Sequence, residues 1–148
     1  MQQRFLRIWP YFVFMVGMLA GLQFWPASYW LEVPSIKVND GRDPKNISML
    51  MDRRIHHTFN GSTAIAVSKW EGEWVVICSG SSGTPGKFLA GAKLPQLLTM
   101  GIWTSGQCLN SLEPGFQYTV SKTWTIHSLG LMPDKFVTQT SNPFNVWP

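Results

Sequence analysis

Few side chains in this sequence have chemical reach: His56, His57 and His127, the acids Asp40, Asp43 and Asp52, the arginines Arg53 and Arg54, and the cysteines Cys78 and Cys108. Imidazoles hold transition metals when several N, O or S donors converge on one point. In a strand, adjacent side chains leave by opposite faces, so His56 and His57 cannot share an ion without a bulge. His127 joins them at no recognisable spacing, and no metal or other cofactor is expected. Hydrolysis by acid and base needs two carboxyl groups facing one another across a cleft. Turn capping accounts for Asp40 and Asp43 in "NDGRD". Asp52 with Arg53 and Arg54 reads as an ion-paired strand end. The functional alternative is a binding spot for an anionic group, built from Asp52, Arg53, Arg54 and His56. The loop "SGSSGTPG", 79–86, matches neither a phosphate-binding loop nor a nucleophile elbow.

With no catalytic constellation spelled out, placement becomes the stronger signal. "IWPYFVFMVGMLAGLQFW", Ile8 to Trp25, carries no charge, and as a helix it would extend about 27 Å, close to a bilayer's hydrocarbon thickness. Pro10 suits a first helical turn and Pro26 a stop. Trp9 and Tyr11 at one end, and Trp25, Tyr29 and Trp30 at the other, match interfacial aromatic belts. Arg4 and Arg7 precede the run and Glu32 is the first charge after it, which keeps the N-terminus cytoplasmic. The expected layout is a cytoplasmic tail at 1–7, a transmembrane helix at 8–25, a stalk at 26–35 and an exported domain at 36–148. A cleaved signal peptide competes with this, but "LQFWPAS" lacks small residues at the paired positions of a cleavage site. Gly17 and Gly21 form G-x-x-x-G, which lets two helices approach closely and would permit a homo-oligomer.

Export gives Cys78 and Cys108 a meaning, because an even pair in an oxidising compartment commonly closes a disulfide; two unpaired thiols are the alternative. The formal charge is +4, with 12 Lys and Arg against 8 acids. Setting aside Arg4 and Arg7 leaves only a slight positive excess outside, too little for a nucleic-acid footprint.

The exported part reads as strands. Ile36–Val38 is a brief one, and residues 49–59 tilt the same way. "STAIAVSKWEGEWVVICS" is a hairpin turning at Glu71-Gly72. "KLPQLLTMGIWTSGQC" suggests a single helical turn, with Leu97, Leu98, Ile102 and Trp103 as core plugs. In "FQYTVSKTWTI", Phe116, Tyr118, Val120, Trp124 and Ile126 share one parity, and Lys122 alone interrupts it. One apolar and one polar face argue for an antiparallel sheet. "KFVTQTSNPFNV" is the last strand, confined to an edge or a bulge by Pro143.

Leu112, Pro114, Gly115, Tyr118 and Val120 reproduce L-x-P-G-x-x-Y-x-V. This resembles the tyrosine corner of fibronectin type III and related immunoglobulin-like sandwiches, in which the tyrosine hydroxyl bonds back to upstream backbone. The resemblance implies an all-β, immunoglobulin-like antiparallel sandwich behind a single N-terminal transmembrane helix, with Trp70 or Trp74 as the core tryptophan. Across its length the chain also resembles small membrane-anchored proteins of bacteriophage and prophage genomes. The matching residues are Asp52, Arg53 and Ile55; Cys78, Gly80, Ser81 and Gly83; Thr123 to Ile126; and Ser141, Asn142 and Phe144, with Ser79 and Ser82 departing from the cleanest form. That resemblance implies a single-pass protein of the bacterial inner membrane with a periplasmic module. The function expected is non-enzymatic: the bilayer as one partner and an envelope or phage protein as another, bound or scaffolded by the exported domain. The alternatives are an envelope glycan-acting enzyme using Asp52 and a histidine, and a membrane-associated virion component.

Overall fold

A computed structural model describes residues 2–82, 84–94, 98–127 and 132–148, with residues 2–7 and 22 described by backbone alone. The chain begins with helix α1, Gln2–Gln23. Among the described residues nine strands follow: β1 Leu31–Val38, β2 Ser48–Ile55, β3 Phe59–Trp70, β4 Trp74–Ser81, β5 Gly86–Phe88, β6 Leu98–Thr99, β7 Gln117–His127, β8 Lys135–Thr140 and β9 Phe144–Asn145. A short helix, α2, covers Met100–Trp103.

The strands make two antiparallel sheets, one in the order β1-β2-β6 and one in the order β4-β3-β7-β8, where β5 also pairs with β3 and β9 with β7. The β3–β4 hairpin turns where the sequence says it should, and Gly72 takes φ 89° there, a value that penalises any residue with a Cβ. β3 carries the larger sheet, pairing with β7 from Asn60 to Lys69. Gly61 is needed at this crowded point, since a Cβ would collide with the carbonyl oxygen of Thr125.

Alternation along β7 buries Tyr118, Val120, Trp124 and Ile126 against Leu31, Ile36 and Val38 of β1 and Met49 of β2 in one cluster shared by both sheets. Each such side chain contributes about 1.5–3 kcal/mol by leaving water. Tyr118 is fully buried, and its hydroxyl accepts from Glu113 N at 2.8 Å and donates to Glu113 O at 3.0 Å. Gly115 makes the turn before it with φ 90°.

The "SNPF" segment joins the layers. Pro143 cannot donate to a ladder, so the last strand divides into β8 and β9. In the gap, Ser141 Oγ accepts from Val120 N at 3.0 Å. Asn142 Oδ1 accepts from Val38 N at 2.8 Å and its Nδ2 donates to Val38 O at 2.9 Å. One side chain thereby serves as a strand neighbour for the opposite sheet.

Several expectations are revised. Pro10 lies inside α1, eight residues beyond its start, because the helix begins before the apolar run. The helix stops at Gln23, and among the described residues no helix is long and apolar enough to cross a membrane. The second half of the expected stalk belongs to β1, which runs antiparallel to β2 from Leu31 with an irregularity between Glu32 and Ser35. Pro34 is tolerated there because β1 is an edge strand. Trp70 and Trp74 are 45% and 40% exposed, and the core tryptophans are Trp124 and Trp103. Leu98 and Trp103 plug the core as expected, whereas Ile102 is 69% exposed on the outer side of α2. Leu97 lies outside the described residues.

Candidate functional site

Strand alternation splits the expected anion spot. Asp52 and Arg54 share the exposed face of β2, where Arg54 Nη2 lies 3.5 Å from Asp52 Oδ2. His56 falls just beyond the end of β2, its Nε2 3.3 Å from Glu32 Oε2. These exposed pairs are worth about 0–1 kcal/mol each. His57 stacks on Tyr29 with ring centroids 3.9 Å apart. Asp52 therefore engages an arginine, not one of the histidines that an acid–base mechanism would use. Among the described residues no three His, Cys, Asp or Glu side chains come together in a metal-binding arrangement.

Arg53 faces the other way, between the sheets, where it is half-buried. Its guanidinium carbon lies 5.9 Å from the centre of the Phe88 ring of β5. From the opposite sheet comes Lys122, the one charge on the apolar parity of β7. Its Nζ sits 4.4 Å from the Trp103 ring centre and 5.6 Å from that of Trp124. Burial pulls the Lys122 ammonium down to about 8, and the positive charge of Arg53 adds to that. Burial likewise lowers the pKa of Arg53. Neither cation has a carboxylate partner among the described residues. Two buried donors here lack acceptors, Arg53 Nε and Trp103 Nε1. An unmet buried donor costs about 1–3 kcal/mol, more when charged, so this cluster is a local loss of stability.

The loop that delivers Trp103 is pinned. Thr104 Oγ1 donates to Met100 O at 2.8 Å, and the Cys78–Cys108 disulfide ties the loop to β4 across a Cα–Cα distance of 5.6 Å. Cys108 adopts φ 62°, a left-handed conformation that costs a residue with a Cβ about 1–2 kcal/mol. The disulfide and the adjoining 3-10 turn at Leu109–Ser111 hold it there. Gln107 fills the place beside Gly80 where a side chain would go.

A second constellation appears only in three dimensions. Ser62 Oγ lies 3.3 Å from His127 Nε2, and His127 Nδ1 lies 3.0 Å from Asp134 Oδ2. A hydroxyl, an imidazole and a carboxylate in that order are the parts of a nucleophilic triad. Acyl transfer also needs free amide donors for the oxyanion. Here β3 is paired with β7 on one side, and on the other Thr63 N donates to Ser82 Oγ at 2.9 Å. The arrangement ties Asp134, just before β8, through His127 to Ser62 of β3, above a recess of about 220 Å³ lined in part by Trp30, Asn60 and His127. No spacing in the sequence announces it, because Ser62 meets His127 through the register of β3 against β7.

The outer edge of β4 is a third feature. Trp70 and Trp74 flank the hairpin tip with ring centroids 5.1 Å apart, and Val76 is 60% exposed. β4 ends the sheet order, so its far edge has no strand partner among the described residues. Open apolar edges invite strand addition by another chain. Lys69 closes the patch, 3.6 Å from the Phe116 ring centre and 3.2 Å from Glu71 Oε1. No family model, curated protein or solved structure matches the chain.

Proposed function

We propose that the chain is a non-enzymatic, membrane-tethered binding protein. Helix α1 lies in a lipid bilayer with the N-terminus on the cytoplasmic side, and an immunoglobulin-like sandwich is displayed on the oxidising side, in the manner of a bacterial inner-membrane protein facing the periplasm. The observation that carries this reading is the surface of α1. Exposed apolar side chains run along α1 from Ile8 to Met18, with Tyr11 77% and Phe14 73% exposed, and Gly17 and Gly21 have nothing packed against them. Leaving such surface in water costs about 25 cal/mol per Å²; lipid removes that cost. In this reading the uncharged stretch 8–21 of α1 lies among the acyl chains, where its exposed rings and aliphatic side chains are out of water. Gly17 and Gly21 would let a second copy pack closely.

The disulfide supports an oxidising exterior, and the Tyr118–Glu113 hydrogen bonds support the immunoglobulin-like assignment. The exported domain takes up or scaffolds another envelope or phage component along the exposed β4 edge and hairpin tip, where main-chain donors and two tryptophans are on offer. A photo-crosslinking residue placed at Val76 in living membranes tests this. One discrete heterologous adduct, missing when the crosslinker sits at Gln139 on the other edge, is expected. No adduct in any growth or infection state would refute the binding role.

A further inference from the structure

We propose that Arg53, Lys122 and Trp103 form a binding site for a small oxyanion between the two sheets. Arg53 comes from β2, Lys122 from β7 and Trp103 from α2, so the site exists only when both layers and the disulfide-tied loop are in place. Its chemistry is one-sided. A guanidinium, an ammonium and an indole N–H can only donate hydrogen bonds, and no carboxylate among the described residues answers them. Arg53 Nε and Trp103 Nε1 are shielded from solvent without acceptors. Trp103 is itself buried, and Lys122 Nζ stands over its ring.

A purely structural account would explain Lys122 by the aromatic faces of Trp103 and Trp124. It leaves the two shielded donors unmet and does not account for the second positive charge that Lys122 feels from Arg53. A ligand made only of acceptors supplies what each of these donors lacks. Carboxylate and phosphate share that chemistry, and the guanidinium fork fits either. The aromatic rings of Trp103 and Phe88 near the two cations favour an anion that carries an apolar or aromatic body. The site stands on the core geometry and is independent of the proposed membrane role.

The test is denaturation of the full chain in detergent micelles at pH 7, titrated with benzoate, acetate or inorganic phosphate against chloride at matched ionic strength. Saturable stabilisation by at least one oxyanion is expected, and which of them acts identifies the group. Lys122→Met and Arg53→Met should each weaken binding tenfold or more while leaving the anion-free protein at least as stable as wild type, because each removes an unanswered charge. In the unaltered protein, the Trp103 indole N–H resonance should move with the same titration. The proposal is overturned if no oxyanion exceeds chloride, if wild type and Lys122→Met respond alike, or if the indole resonance stays fixed through saturating anion.

Discussion

Asn142 grips Val38 with both arms of its amide, accepting from the backbone N–H and donating to the backbone C=O of a residue 104 positions away. Val38 is buried at the end of β1, and this side chain answers both of its main-chain groups there. Asn142→Ala should lower unfolding free energy by about 1–3 kcal/mol, read as a shift of the urea midpoint. Asn142→Asp, which keeps the acceptor and loses the donor, should fall between the two.

The disulfide closes a loop with a sequence separation of 30. Under the loop-entropy relation its removal costs about 3–4 kcal/mol. Cys78→Ala with Cys108→Ala should show that loss, and wild type treated with reductant should match the double variant. The loss should also loosen Trp103, which near-ultraviolet circular dichroism would report.

The buried ammonium gives a pH signature. Below about pH 8 Lys122 is protonated folded and unfolded, and the fold bears the cost of the charge. Above that value the folded chain releases a proton that the unfolded chain keeps up to its ordinary 10.5. The unfolded state then binds more protons, so stability rises with pH through this window, by up to about 3 kcal/mol. Arg53 is the charge facing Lys122 from β2. Tyr118, whose pKa burial raises above 10, contributes in the opposite sense only beyond pH 10. Denaturation between about pH 7.5 and 9.5 should therefore show a rise in wild type that Lys122→Met flattens.

Two glycines of the larger sheet should behave differently. At Gly61 a new Cβ meets the carbonyl oxygen of Thr125, which the ladder holds in place, whereas at Gly80 it meets the end of the flexible Gln107 side chain. Gly61→Ala should destabilise by about 1–3 kcal/mol as overpacking does. Gly80→Ala should cost clearly less in the same melting experiment.

Local features were legible in the sequence. Gly72 marked the hairpin, the parity of β7 marked its buried face, and Leu112 to Tyr118 marked the turn into it. The two cysteines are joined as export would have them. Long-range relations were not legible, because sheet register and layer facing are decided by packing. Arg53 reads as a neighbour of Asp52 and Arg54, yet alternation along β2 sends it inward alone. Lys122 did leave a signal, as the single charge on an apolar face, but nothing in its surroundings named Arg53 or Trp103. Two N-terminal boundaries were misplaced. The segment 31–35 reads as stalk yet belongs to β1, whose edge position tolerates Pro34, and Pro10 argued for a helix start that lies eight residues earlier.

Residence of α1 in lipid, with the sandwich beyond it, is the central claim of the proposed function. Alkaline carbonate extraction of membranes from cells making the full chain, followed by protease shaving of intact spheroplasts, measures this directly. The protein should stay in the membrane pellet, and protease added from outside should remove the disulfide-linked domain while sparing the helix. Release of the intact chain into the carbonate supernatant, or a sandwich protected until the membrane is lysed, would contradict the account.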